Sequence, residues 1–302
     1  MIHGILNVYK EKGYTSHDVV AKLRGIIGQK KIGHTGTLDP KAAGVLPVCL
    51  GKGTKLCELL TDEDKTYEAV LLLGKKTDTQ DIWGEVLAER NTKTLTEEAV
   101  TEAVFSFLGE YAQIPPMYSA LKVNGKKLYE LARSGQVVER KSRRVKIHDI
   151  RLLEVSLPRV RMSVTCSKGT YIRTLCDDIG EKLGCGGCME ELTRTRAGRF
   201  TVSDSRTLEE IRTAFERNRL AELVVPVDVM FSEAAKAYVE DEWETSARNG
   251  NLLPREAVRE CTMGEDGERV RLYNSDGHFI ALYRWKEEVR EYHLEKMFFP
   301  EK

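Results

Sequence analysis

A single carboxylate stands near the end of a loop whose residues are chosen for their backbone. Asp39 belongs to the run Gly33-His34-Thr35-Gly36-Thr37-Leu38-Asp39-Pro40. Two glycines can adopt positive φ angles closed to other residues, and Pro40 pushes the residue before it toward an extended conformation. A carboxylate held in this way can serve as acid, base or nucleophile, although ordinary polar turns gather the same residue types for local reasons. Two other stretches carry chemistry. Ser167-Lys168-Gly169-Thr170-Tyr171-Ile172-Arg173 leads into a helix with an arginine at its start. A cation there opposes the helix dipole, so Arg173 suits a specific partner, with a local acid such as Asp177 as the plain alternative. Residues 117–129 mix Tyr118 and Tyr129 with Lys122, Lys126 and Lys127. That mixture suits RNA, since rings stack on bases while ammonium groups meet phosphates; a surface hairpin is the plain alternative.

Two other motifs carry less. Cys185-Gly186-Gly187-Cys188 has metal-ligand spacing, but no second CxxC or HxxxH follows, and Cys166 and Cys176 complete a tetrahedral site only if the fold brings them close. Gly51-Lys52-Gly53-Thr54-Lys55 lacks the GxxxxGK[ST] spacing of a phosphate loop.

The elements that position these residues follow from periodicity and punctuation. Residues 5–9 read as a strand, and Ser16 as the N-cap of an amphipathic helix, Ser16–Ile27, with Val19, Val20, Leu23, Ile26 and Ile27 on one face. Residues 45–50 form the nearly continuous apolar run of a strand buried on both faces, followed by a helix over 55–60. Residues 67–73 alternate and then run apolar, and 83–88 can pair with them across the polar loop 75–81. A helix is predicted from about 96 to 107, with Thr94 and Glu97 in capping-box spacing. Pro115-Pro116 breaks the chain; a strand over 160–166, a helix over 174–183, a basic run over 192–199 and a helical stretch over 207–223 follow. Pro226-Val227-Asp228 reads as a seam, beyond which residues 270–273 and 279–285 flank the turn Asn274-Ser275-Asp276-Gly277 as a hairpin.

A chain of 302 residues exceeds the usual size of a single core and predicts two domains, one small; a hydrophobic share of 41% predicts a folded protein. No stretch approaches the roughly 18 unbroken apolar residues of a membrane span, and Met1-Ile2-His3-Gly4 lacks signal-peptide features, so a soluble, cytoplasmic protein without a membrane partner is expected. Seven scattered cysteines fit reduced thiols. The formal net charge is zero, yet residues 1–57 carry nine Lys and Arg against three Asp and Glu, and residues 121–151 ten against three, offset by acidic stretches over 58–120 and 231–302. Basic segments distributed in this way can build a positive face on a neutral protein.

Taken together, these motifs identify a resemblance to the TruB family of tRNA pseudouridine synthases. Residues 33–40 look like that family's catalytic loop, Lys65-Thr66-Tyr67 like its tyrosine motif, residues 167–173 like its arginine motif, and residues 116–133 like its RNA-clasping insertion. There are departures: Lys10-Glu11-Lys12-Gly13 stands where the family usually has Lys-Pro before a glycine, and Leu192-Thr193-Arg194 where it often has consecutive arginines. The resemblance implies an α+β fold with a mixed, mainly antiparallel central sheet flanked by helices and a small C-terminal β-rich PUA-like domain. It implies a catalytic domain over 1–230, with the insertion at about 115–145, and a PUA-like domain over 231–302.

It also implies a reaction, the isomerisation of uridine 55 in the T-loop of tRNA to pseudouridine, which needs no metal, nucleotide or other cofactor. Asp39, Tyr67 and Arg173 become the catalytic residues: the carboxylate at the sugar, the ring against the base and the cation beside the carboxylate. His34, Tyr171, Leu192 and Lys10 become substrate-binding residues, with His34 filling the space vacated by the flipped base. Lys122, Lys126, Lys127, Arg143 and Arg144 become phosphate contacts that position RNA without reading it. The expected partner is the T arm of tRNA, met by a monomer without a guide RNA. The rivals are a non-catalytic RNA-binding or RNA-folding protein on the same scaffold and the related guide-RNA-dependent synthase.

Overall fold

The computed structural model describes residues 1–123, 125–260 and 265–298. The chain opens with β1 (Gly4–Lys10) and α1 (Ser16–Ile27). Thr15, not Ser16, caps this helix: its hydroxyl accepts from the Asp18 N–H at 3.0 Å, and the Asp18 carboxylate accepts from the Thr15 N–H at 2.8 Å. The Ser16 hydroxyl instead accepts from the Leu38 N–H at 3.0 Å and so holds the loop that carries Asp39. Gly28, at φ 69°, ends the helix in the left-handed region. β2 (Ile32–His34) pairs antiparallel with β3 (Ala43–Leu50), whose eight residues are all buried. Leu46, Val48 and Leu50 pack with the apolar face of α1, while Val45 and Cys49 enter a second cluster on the opposite face.

A 3-10 turn, Gly51–Leu56, and α2 (Cys57–Asp62) cover the predicted helix and lead to β4 (Lys65–Leu73). β5 (Lys75–Thr77) and β6 (Val86–Glu89) pair with each other, so the expected pairing of 83–88 with 67–73 does not form. After α3 (Glu97–Phe105), capped by Thr96 rather than Thr94, come β7 (Gly109–Gln113), the short hairpin β8 (Lys122–Val123) and β9 (Lys126–Lys127), and α4 (Leu128–Arg133). Met117, Leu128 and Leu131 give this insertion its own small core, and Arg140 closes it by donating to the Pro115 carbonyl at 3.0 Å. β10 (Arg143–Ser156) and β11 (Arg159–Cys166) follow, then α5 (Ile172–Lys182), β12 (Gly187–Ala197), β13 (Phe200–Thr201), α6 (Leu208–Glu216) and β14 (Val224–Val225).

These strands form a ten-stranded sheet ordered β14-β1-β3-β12-β4-β11-β10-β7, with β13 beside β12 and β2 beside β3. Only β3 and β12 run parallel among its pairs, which makes the sheet mixed and mainly antiparallel. β4 lies between β11 and β12, so both its edges are occupied. A second, six-stranded sheet uses residues 235–297 and contains the expected hairpin, Arg269–Tyr273 with Phe279–Lys286. This β-rich unit is PUA-like. Its Phe231, Leu282 and Phe298 share a cluster with Ile5, Val45, Leu56 and Phe200, so the two sheets meet through apolar contact.

Helix α5 carries Arg173 and lies on β12, which carries Leu192. Their close approach depends on Gly180, where a Cβ would fall 2.1 Å from the Gly187 nitrogen and 2.2 Å from the Gly186 carbonyl carbon. Backbone atoms cannot give way, so Gly180→Ala forces the helix outward. We expect it to lower stability by about 1–3 kcal/mol or more, as overpacking does. Gly25→Ala, in α1 with nothing within 4 Å of the added methyl, should instead gain up to about 1 kcal/mol from helix propensity. Urea midpoints of the two variants check the opposite signs.

Candidate active site

The loop 33–40 is held at both ends and near its middle. Thr35 donates its N–H to the Pro47 carbonyl at 3.1 Å, Leu38 donates to Ser16, and Ala42 donates to the Asp39 carbonyl at 3.0 Å. The Pro40 carbonyl accepts from the Gly13 N–H at 2.8 Å and from the Lys10 ammonium at 3.4 Å. Leu38, buried, anchors the loop in the cluster that contains Tyr67, Ile172 and Leu192. Asp39 is left at the surface with 42% of its side chain exposed.

Arg173 meets it from below. Only 5% of that side chain is exposed; its Nε lies 2.9 Å from Asp39 Oδ2, and Nη2 donates to Oδ1 at 3.4 Å. The remaining donors reach the Thr79 carbonyl at 3.2 Å and the Tyr118 carbonyl at 3.0 Å, with Asp81 Oδ2 at 3.9 Å. Asp177, the local acid offered by the sequence, accepts from Gln80 at 2.9 Å instead. One guanidinium therefore ties the loop of Asp39, the β5–β6 connection and the insertion together.

Tyr67, in the middle of β4, is buried, and burial pushes its phenol above the usual value. It lies across from Arg194 of β12 in register. Arg194 is 1% exposed and donates from Nε to the Val45 carbonyl at 2.6 Å, while Nη2 has no hydrogen-bond partner. Gly44 makes room for this strand: a Cβ there, at φ 110°, would lie 2.2 Å from the Arg194 carbonyl oxygen. The sequence marked Arg194 only as part of the run Leu192-Thr193-Arg194 and gave it no role in the site. The signal available was its position two residues after Leu192, on the same face of one strand.

His34 ends β2 half-buried, with Nδ1 3.1 Å from the Gly36 carbonyl and its ring 5.2 Å from that of His17. Burial is the largest of the effects that lower its pKa, which favours the neutral imidazole. Tyr171 caps α5, with its N–H and carbonyl both held by the buried Gln113 amide, at 2.8 and 3.0 Å. Burial raises its phenol pKa. Leu192 is buried beside Tyr67.

Lys10, expected as a substrate contact, lies beneath the loop of Asp39. Its side chain is wholly buried, and Nζ donates to the carbonyls of Tyr14 at 2.7 Å, Glu11 at 3.2 Å and Pro40 at 3.4 Å. It supports the Asp39 loop from beneath. Lys122, Lys126, Arg143 and Arg144 are exposed, and Lys127 is half-buried over the Tyr129 ring. Arg143 lies across from Gln113, next to the Tyr171 cap. Cys185 and Cys188 are buried thiols, and among the described residues no three or more His, Cys, Asp or Glu side chains converge as a metal site would require.

The TruB family pseudouridylate synthase N-terminal domain matches residues 24–172, and the tRNA pseudouridylate synthase B C-terminal domain matches residues 173–232. A protein of Lachnoclostridium phytofermentans named tRNA pseudouridine synthase B is 52% identical over 98% of this chain and 100% of its own length. The chain belongs to the TruB family of pseudouridylate synthases. A second relative of the same name, from Alkaliphilus oremlandii, is 46% identical over 90% of each chain. Among solved structures, a Cbf5-Nop10-Gar1 complex matches with a TM-score of 0.71 at 28% identity, over 99% of this chain and 85% of that one. An H/ACA ribonucleoprotein bound to a substrate RNA containing 2′-deoxyuridine matches equally well at 25% identity, over 99% and 86%. In this TruB-family chain residues 33–40, Tyr67 and the 167–173 stretch converge, through the Asp39–Arg173 pair and the cluster that holds Leu38, Tyr67 and Ile172.

Lys10 gives the site a measurable pH signature. Burial lowers its pKa from 10.5 to about 8. Between those values the unfolded chain holds a proton that the folded chain has released, so its contribution to stability is complete above about 10.5 and is lost as pH falls through about 8. Lys10→Met removes this dependence. The stability difference between wild type and variant should move in favour of wild type as pH rises from 8 to 10.5, measured by urea unfolding across that range.

Proposed function

We propose that this chain isomerises uridine 55 in the T-loop of tRNA to pseudouridine, acting as a stand-alone monomer in the cytoplasm. Residues 1–230 would form its catalytic domain and residues 231–302 its PUA-like domain. The observation that carries the proposal is the Asp39–Arg173 pair beside the apolar cluster that holds Leu38, Tyr67 and Leu192, in a chain whose relatives are named tRNA pseudouridine synthase B. Among the described residues no helix is long and apolar enough to cross a membrane.

The reaction breaks the bond between N1 and C1′, turns the uracil and joins C5 to C1′, with loss of the C5 proton. Asp39 is the carboxylate at the ribose. Arg173 supplies its countercharge and fixes its direction through an ion pair at Oδ2 and a hydrogen bond to Oδ1, so the carboxylate is oriented before substrate arrives. Tyr67 packs against the base; burial favours its neutral phenol, which suits a stacking partner. The target must leave the RNA stack first, at a cost of a few kcal/mol, and the neutral imidazole of His34 fills the vacated place without desolvating a charge. Tyr171 and Leu192 close the pocket walls.

Lys122, Lys126, Lys127, Arg143 and Arg144 meet phosphates. Lys122 faces Lys127 directly across the hairpin, an arrangement that repels in the free protein and is relieved by an anion between them. This basic insertion supports recognition of RNA without a guide. The presence of Asp39, Tyr67 and Arg173 together argues against a non-catalytic scaffold.

Purified protein with a T-arm stem-loop should produce one pseudouridine, read as a primer-extension stop after carbodiimide treatment; no stop would sink the proposal. Asp39→Asn should bind the same RNA and give no stop, and conversion at the wild-type rate would remove Asp39 from its role. Lys122→Ala with Lys127→Ala should weaken binding to all RNAs alike and reduce the slope of log affinity against log salt by about 1 for each phosphate that is no longer neutralised.

A further inference from the structure

The connection between β5 and β6 carries a feature that the proposed chemistry does not use. Trp83 is 65% exposed, on the rim of the site. The backbone beneath it is tightly held. Its N–H donates to Asp81 Oδ1 at 3.1 Å, and Thr79 Oγ1 donates to the same oxygen at 2.8 Å. Asp78 and Glu85 close the base of the loop with bonds of 2.8 and 3.1 Å. Gly84 admits no side chain, since a Cβ would lie 2.3 Å from Thr79 Oγ1 and 2.4 Å from Asp78 Oδ1. The ring is thus presented by a rigid turn, and burial does not explain its exposure.

Its neighbours suggest what it meets. Lys41, two residues after Asp39, places its ammonium 4.3 Å from the centroid of the indole. Trp83 and Lys41 line a cleft of about 540 Å³ together with Ile82, Lys12 and Arg159, a volume in the range of small-ligand clefts. Lys12 and Arg159 are paired with Glu191 and Glu190, whereas Lys41 lies over the ring. The same turn also touches the catalytic pair: the Thr79 carbonyl and Asp81 both lie against Arg173. A flat π surface beside a cation, next to a site for an extruded uridine, matches the chemistry of an unstacked nucleobase and its phosphate.

We propose that Trp83 and Lys41 form a stacking platform for a second unpaired base of the substrate RNA, one adjacent to the target uridine. Resting on the function proposed above, it adds a binding subsite to that reaction. The indole takes the base, and the Lys41 ammonium the phosphate that follows it. Occupancy holds the turn of residues 78–85 against Arg173, so the contact positions RNA and takes no part in bond making.

The test uses full-length Asp39→Asn protein, which cannot turn over, and a T-arm stem-loop. RNA should quench its tryptophan fluorescence, and adding Trp83→Phe should remove most of the quench, leaving Trp243 and Trp285 as reporters. In the otherwise wild-type enzyme, Trp83→Ala should raise KM roughly tenfold, as loss of one base–aromatic stack does, with kcat changed by less than about twofold; Trp83→Phe should restore part of the loss. Stem-loops with an abasic site at each nucleotide next to the target should include one for which wild type and Trp83→Ala bind equally. A quench that survives Trp83→Phe, an unchanged KM in Trp83→Ala, or the same wild-type advantage on every abasic RNA would overturn the platform and leave the ring to a different partner. The quench and the abasic-RNA binding are read without conversion, so they stand apart from failure of wild type to form pseudouridine, which counts against the activity itself.

Discussion

The guanidinium of Arg173 is the constraint on which the site depends. It is almost fully buried and has carboxylate or carbonyl partners on three separate segments, the Asp39 loop, the turn of residues 78–85 and the insertion at Tyr118. A buried cation without partners costs several kcal/mol, so the three segments can move away only by leaving donors unpaired. The arrangement explains why an arginine sits in the first turn of α5, where it gains nothing from the helix dipole. It also explains why α5 must lie close on β12: Gly180, which permits the contact, sets the depth from which Arg173 reaches Asp39.

Around this pair lies a second layer of buried cations. Lys10 and Lys65 both have pKa values lowered to about 8 by burial, and Arg194 lies between Tyr67 and Gly44 at the centre of the sheet. Their hydrogen bonds go mostly to main-chain carbonyls, so they act as fixed supports for loops rather than as mobile surface charge. Positive potential gathered under a site for a polyanion favours its arrival, at a cost to the free protein's stability. A site of this kind is organised in advance of its substrate.

How much of this the sequence disclosed depended on whether the controlling force was local. The Asp39 loop was legible because Gly36, at φ 82°, and Pro40 encode backbone angles directly, although Gly33 lies in β2 without a positive φ, and the helix Ser16–Ile27 because its apolar spacing is regular. The cap was misread by one residue: Thr15 and Ser16 can each cap, and the choice is made by the Leu38 N–H, 22 residues away, which claims Ser16. Residues 83–88 alternate well enough to pair with 67–73, but both edges of that strand are taken by segments about a hundred residues further on. For Lys10 the sequence shows the charge and not the depth at which it lies. Arg194 received no role for the same reason, since in a basic run its burial does not show.

The lysine pair on the β8–β9 hairpin has a consequence of another kind. Lys122 and Lys127 face each other with like charge, so the free insertion is under electrostatic tension that added salt relieves. The same salt competes for the phosphates the pair would bind. Ionic strength therefore pulls on one element in two directions, steadying its shape while weakening its grip, and the hairpin is most strongly drawn to a polyanion under the conditions in which it is least content alone.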